Sequence, residues 1–167
     1  MIRIENLSKS FTLHNQGGVV IPVMAGASLT VAPGDCVGLT GQSGAGKSTL
    51  ARALVGAQLP ASGIVRIDGS NIADWDVDSL GAHIGYLPQD SVLFAGTVGE
   101  NIARFSSDPE AAKDVVPAAQ MAGAHEMIQR FPQGYNSMLG LRGEGVSAGQ
   151  AQRVALARAL FRNPAVI

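Results

Sequence analysis

The stretch Gly41-Gln42-Ser43-Gly44-Ala45-Gly46-Lys47-Ser48 decides how this sequence is to be read. Its glycines stand where successive backbone N–H groups must converge on one point, and a lysine and a hydroxyl residue follow at fixed spacing. Before it, residues 36–40 form a short continuous apolar run that predicts a strand. After it, residues 47–56 predict a helix closed by Gly56. Strand, glycine loop and helix in that order build a phosphate cradle, because the N-terminus of the helix adds its partial positive charge to the loop amides.

The spacing is that of a P-loop, G-x-x-x-x-G-K-S, in the structural setting that motif requires. Gly41, Gln42, Ser43, Gly44, Ala45, Gly46, Lys47, Ser48 and Thr49 are therefore candidate nucleotide ligands. Lys47 is placed to pair with β- and γ-phosphates, and the Ser48 hydroxyl to hold Mg²⁺. The alternative, a glycine-rich turn matching by accident, does not require a strand before and a helix after.

Working outward, residues 2–7 alternate as a half-buried strand, and residues 19–23 and 27–31 repeat β-rich patterns around Pro22 and Gly26, so an antiparallel opening sheet is expected. Residues 63–68 predict a further strand, 76–82 a short helix and 83–87 another strand. From Thr97 the pattern turns helical: Thr97 with Glu100 makes a capping box, Pro109 starts another helix, and residues 118–131 are Ala- and Met-rich. Residues 132–145 form a loop with four glycines. Ser147 with Gln150 opens a helix expected to run to Arg162, where Asn163-Pro164 stops it, and residues 165–167 begin a buried strand.

Composition sets the bounds. The 167 residues suffice for one cored domain. At 46% hydrophobic, 15% charged and a net charge of -1, the chain is too apolar for disorder and too neutral for an electrostatic nucleic-acid binder. Average usage would give roughly 12 glycines, whereas the chain has 21, consistent with many tight turns and close backbone approaches. A single cysteine, Cys36, excludes an internal disulfide framework, and no histidine has a partner at metal-ligand spacing. The longest apolar stretch, residues 19–32, falls short of the roughly 20 continuous apolar residues of a membrane span. No secretory signal pattern opens the chain.

A second constellation narrows the family. Val146-Ser147-Ala148-Gly149-Gln150, followed by Ala151-Gln152-Arg153-Val154-Ala155-Leu156-Ala157-Arg158-Ala159-Leu160, resembles the ABC signature motif L-S-G-G-Q and the helix behind it. On its own it reads as an ordinary capped helix; with the P-loop it resembles the ATP-binding cassette of ABC transporters. Physically it is a second helix N-terminus able to face phosphate, and Ser147, Ala148, Gly149 and Gln150 join the candidate nucleotide ligands. Lying beyond a helical insert, the segment is expected to serve a nucleotide held by another subunit.

The resemblance extends to Tyr86-Leu87-Pro88-Gln89-Asp90, which looks like the Q-loop and implies that Gln89 touches Mg²⁺ and the attacking water. Phe11 occupies the place of the aromatic that stacks on adenine, although an aromatic after an amphipathic strand is commonly core. Gly140-Leu141-Arg142-Gly143-Glu144-Gly145 resembles an exporter loop that meets the membrane domain. Residues 85–105 and 131–162 look most like type I secretion exporters, whereas residues 1–49 look closer to the ABC protein of the phosphonate carbon-phosphorus lyase system.

The resemblance implies an α/β fold with a P-loop NTPase core, an N-terminal antiparallel sheet and an inserted helical subdomain. It divides the single partial domain 1–167 into an α/β core (1–95), a helical insert (96–146), and the signature helix with the start of the Walker B strand (147–167). It implies ATP and Mg²⁺, a head-to-tail dimer with a second cassette, a transmembrane partner and a cytoplasmic position at the membrane's inner face. Two departures bear on chemistry. Ala148 stands where the signature has glycine and Val146 where it has leucine. The family continues beyond this point with an Asp-Glu pair that supports Mg²⁺ and polarises water, so a chain of these residues alone is expected to bind ATP without turning it over. The alternatives are a non-transport ABC protein of a phosphonate enzyme complex and a nucleotide-binding remnant.

Overall fold

The structure, a computed structural model, describes residues 1–90 and 92–167 and resolves into two compact units, Met1–Leu80 and Gly81–Ile167. The first is built on a four-stranded antiparallel sheet in the order β2-β1-β3-β4, with β1 at Ile2–Leu13, β2 at Val19–Val31, β3 at Ser62–Ile67 and β4 at Ser70–Asn71. The expected strands at 19–23 and 27–31 are one long strand whose pairing with β1 is interrupted by shifts of register.

One irregularity explains how β1 buries its apolar residues. Strict alternation would place Ile4 and Leu7 on opposite faces, yet both are buried. The register slips between them, and Asn6 lies there at φ 50. A bulge of this kind reverses the side-chain phase. Opposite it, a Cβ at Gly63 would lie 2.5 Å from the Asn6 carbonyl oxygen, so the bulge fits only against glycine. Ile4, Leu7, Val65 and Ile67 are buried in this unit, as are Leu50 and Ala53 of α1, Lys47–Leu54, and Ile72 and Leu80. Gly56, at φ 71, follows the end of α1 as expected of a glycine stop.

Helix α2 spans Val77–His83. The Asp76 carboxylate accepts from the Ser79 N–H at 3.1 Å, the local cap that starts this turn.

The second unit is helical, as expected of the segment from Thr97. It contains α3 at Val98–Ile102, α4 at Ala112–Met121, α5 at His125–Gln129 and α6 at Ala148–Leu160, with a short antiparallel pairing of β5, Gly96–Thr97, against β6, Met138–Leu139. Val154, Ala157 and Phe161 fall three and four positions apart and share one buried face with Val98, Ile102, Val115 and Ile128. Ala118, Ala119 and Ala155 in the same core let helix backbones approach closely.

Three expectations are corrected. Residues 36–40 are not a strand: no described strand pairs with them, and Val37 and Leu39 stand about half exposed at 52% and 49%. An apolar run suits a central strand only where neighbours take its backbone hydrogen bonds. Residues 83–87 form a single parallel bridge, Ile84 to Val166, rather than a strand, because α2 continues through His83. Helix α6 ends at Leu160, not Arg162, because Arg162 and Asn163 turn at φ 61 and 48.

Candidate functional site

The phosphate loop lies in the first unit and is open to solvent from Gly41 to Ala45. Gly41, Gly44 and Gly46 adopt φ of 148, 85 and 83. The Ala45 N–H donates to the Gln42 carbonyl at 3.2 Å, closing the turn. A Cβ at Gly46 would lie 3.0 Å from the Val23 carbonyl oxygen, which ties the loop closely to β2.

Helix α1 starts from Gly46, which has no side chain to cap it. The N–H groups of its first turn therefore point out with no side-chain acceptor, at the positive end of the helix dipole. Lys47 folds back over the loop, its Nζ donating to the carbonyls of Gly41 and Gln42, both at 2.7 Å. Loop amides, an uncapped helix end and an ammonium group are thus gathered in one place, the chemistry a polyphosphate needs. Ser43 and Ser48 are exposed. Thr49 is half-buried and lines a small closed space with Leu7, Met24 and Ala53, so the group it can offer a ligand is its backbone N–H.

Phe11 sits on β1 opposite Ile21 at 38% exposure, outside the core, with the Lys9 ammonium 5.7 Å from its ring centroid. The ring is available for stacking.

In the second unit, α6 opens with the expected capping box: the Gln150 N–H donates to Ser147 Oγ at 3.3 Å, and the Ser147 N–H donates to Gln150 Oε1 at 2.7 Å. The Ser147 hydroxyl keeps its own proton to donate outward. Ser147, Ala148 and Gly149 are exposed, and nothing lies within 4 Å of where a Cβ on Gly149 would be. Gln89 is also exposed. Among the described residues there is no cluster of three or more His, Cys, Asp or Glu suited to hold a metal.

Sequence reasoning missed a polar frame around α6. Arg104, at φ 57, donates from Nε to the Arg158 carbonyl at 3.0 Å, from Nη2 to that of Ala159 at 3.1 Å and from Nη1 to that of Gly81 at 2.5 Å. It caps the C-terminal end of α6, where carbonyls lack helical partners and positive charge is favoured. Burial, with the charge of Arg158 beside it, draws the Arg104 guanidinium below its ordinary value. Asn101, fully buried, accepts from the Phe94 N–H at 2.9 Å and donates to the carbonyls of Phe94 and Thr97. Nothing in the sequence marked Arg104, Arg158 or Asn101.

A glycine loop feeding an uncapped helix, on a domain that also presents a second, hydroxyl-capped helix end, defines a P-loop nucleotide-binding domain. The family model described as ABC transporter matches residues 24–167. The Type I secretion system ATP-binding protein PrsD of Rhizobium meliloti is 47% identical over 145 residues, covering 87% of this chain and 25% of that protein. The Colicin V secretion/processing ATP-binding protein CvaB of Escherichia coli is 37% identical over 99% of this chain and 23% of its own length, so likeness to an exporter runs through the first residues as well. A bacterial Atm1-family ABC exporter with ATP bound superposes with a TM-score of 0.82 at 40% identity, over 98% of this chain and 27% of that one. The chain belongs to the ABC transporter family, as an ATP-binding domain homologous to exporters. It spans about a quarter of the length of these relatives. Among the described residues no helix is long and apolar enough to cross a membrane.

Proposed function

We propose that this domain binds ATP with Mg²⁺ and, paired head-to-tail with a second cassette, drives a transmembrane partner that exports substrate from the cytoplasmic side. The observation that carries the reading is the uncapped start of α1 beneath Lys47, whose ammonium already hangs over the Gly41 and Gln42 carbonyls. There the β- and γ-phosphates would meet the amides of residues 44–49 and the lysine charge, while Ser48 holds the metal. Bound Mg²⁺ would neutralise charge on the phosphate oxygens. Phe11 would stack on the adenine, and Gln89 would orient the attacking water. Ser147, Ala148, Gly149 and Gln150 of one copy would close on the γ-phosphate held by the other, which suits a helix end exposed on both its serine and its glycine.

The general base is not among these residues, so we propose that the 167 residues by themselves bind nucleotide without turnover. The domain would reach the membrane through its partner.

Titration with a fluorescent ATP analogue tests the binding site. Lys47→Ala removes charge-assisted hydrogen bonds worth about 1.5–3 kcal/mol, so affinity should fall roughly 10- to 150-fold. Unchanged affinity would sink the assignment. In a Cys36→Ser background, Ser43→Cys mixed with Ala148→Cys should give an ATP-dependent crosslink between copies. Crosslinking that is indifferent to ATP would count against the shared site.

A further inference from the structure

Residues 92–94 are held to the helix that Ser147 opens by the buried side chain of Leu93, which shares a core with Val154 and Ala157, and by one polar tie. Arg158 lies near the far end of α6, half-buried. Its Nη1 donates to the Val92 carbonyl oxygen at 3.0 Å, and its guanidinium carbon stands 5.6 Å from the centroid of the Phe94 ring. A planar fork can hold a carbonyl at its edge while its face rests on an aromatic ring, which an ammonium cannot do with the same geometry.

Both ends of this tie are fixed. The backbone of Arg158 is anchored by Arg104, which caps the carbonyls of Arg158 and Ala159. The Phe94 ring meets the edge of Phe105 at 6.1 Å and 81°, and its backbone is clasped on both sides by the Asn101 amide. Phe105 reaches that ring only because the chain turns through φ 57 and 53 at Arg104 and Phe105, two non-glycine residues in the left-handed region. The Phe105 ring leaves no room at Gly96, where a Cβ would lie 2.9 Å from it. Backbone strain and a glycine requirement thus converge on the place where Arg158 lands.

We infer that Arg158 is a positioning residue: it fixes Val92 and Phe94 to the signature helix, so that a displacement of Ser147 against nucleotide is carried to residues 92–94, a few positions along the chain from Gln89. The inference rests on the role proposed above for Gln89. Arg158 acts through Val92 and Phe94. Its guanidinium is half withdrawn from water, which strengthens the bond to Val92 relative to an exposed one.

The test uses the full-length protein carrying Arg158→Met, which keeps the aliphatic stem and removes the fork, and Arg158→Lys, which keeps the charge. Amide hydrogen exchange over residues 92–96 should quicken about tenfold in Arg158→Met, the loss expected of one charge-assisted hydrogen bond, and by less in Arg158→Lys. Exchange in α1 should not change. ATP turnover should fall about tenfold in kcat with KM for ATP within about twofold, since binding at the phosphate loop is untouched. Unchanged exchange over 92–96 would overturn the inference, and so would equal changes in kcat and KM. If Arg158→Met does not fold, Phe94→Leu removes the ring on which the guanidinium rests and should quicken exchange over 92–96 by less than Arg158→Met would; there too unchanged exchange overturns it. Gln89→Ala separates the two readings. If it leaves kcat unaltered, the role given to Gln89 falls, while the exchange data still decide whether Arg158 holds the segment.

Discussion

Gly46 stands against Val23 so closely that a Cβ added to it would lie 3.0 Å from the Val23 carbonyl oxygen and 3.3 Å from the Val23 Cγ1. At φ 83 the residue is also in the left-handed region. Phosphate loop and sheet are therefore one piece: β2 sets where the first turn of α1 begins, and the loop amides inherit that position.

Gly46→Ala should be felt twice. The left-handed backbone costs a residue with a Cβ about 1–2 kcal/mol, and the added methyl must push the loop off β2. Chemical denaturation should register a loss of about that size or more, and a fluorescent ATP analogue should bind more weakly because the amides no longer converge. Gly44→Ala makes the comparison. That glycine is also left-handed, at φ 85, but nothing lies within 4 Å of its Cβ position, so it should show the backbone cost without the displacement.

These residues also mark what the sequence made legible. The P-loop could be read because its chemistry is local: eight consecutive positions carry glycines, lysine and hydroxyl at the spacing that phosphate demands. The two capping boxes, Thr97 with Glu100 and Ser147 with Gln150, were legible for the same reason, since both partners lie within one turn. Residues 36–40 misled, because an apolar run becomes a strand only with neighbours, and neighbours are a tertiary fact. The bulge at Asn6 was hidden too: it requires Gly63, far along the chain, to leave room for the Asn6 carbonyl. Arg104 and Arg158 could not be read at all, since an arginine in a helical segment is ordinarily a solvated one, and only the fold shows which carbonyls they meet.

Arg104 should prove a stability residue. Its three donors satisfy the carbonyls of Gly81, Arg158 and Ala159, and Arg104→Met would leave those oxygens without partners in a partly buried place. Stranded polar groups of this kind cost about 1–3 kcal/mol, and the C-terminal end of α6 also loses its compensating charge. Thermal unfolding should shift down, while the affinity of the phosphate loop for an ATP analogue should stay as it was. A variant that melts like the parent would show that the cap contributes nothing.

The acid limb of stability should depend on Glu100. The backbone N–H of Thr97 donates to Glu100 Oε2 at 2.7 Å, and that bond, followed by the one from the Thr97 side chain, holds the carboxyl below its ordinary value of 4.5. A depressed carboxylate adds stability above its unfolded value, and that stability is lost as pH falls through the folded one. Unfolding measured as pH is lowered from neutrality through 4.5 and below should therefore show a decline to which Glu100 contributes. Glu100→Gln keeps the box, as Gln150 does in α6, but cannot titrate, so its decline should be shallower. It should not vanish, because Asp108, hydrogen-bonded to Arg162, is also held below its usual range and acts with the same sign. An acid limb identical in Glu100→Gln and parent would show that the box does not respond to protonation.

Ala148 is where the signature departs from glycine. The residue is exposed at the first position of α6, directly after Ser147, and its methyl group adds bulk to the surface that would meet a γ-phosphate. Its neighbour Gly149 has open space where a Cβ would be, so crowding at this helix end comes from Ala148 alone of the two. Ala148→Gly should therefore ease closure on nucleotide and raise ATP turnover of the full-length protein. It should cost no more than about 0.5–1 kcal/mol of stability, since glycine is disfavoured in helices by that amount and a first-turn position is among the least sensitive. Turnover, nucleotide affinity and melting measured side by side distinguish the causes. A rise in kcat with affinity at the phosphate loop unchanged assigns the effect to closure, because the two sites lie on different units of the chain. An unchanged kcat would mean that the methyl group does not stand in the path of closure, and that Ser147 and Gln150 alone set the contact.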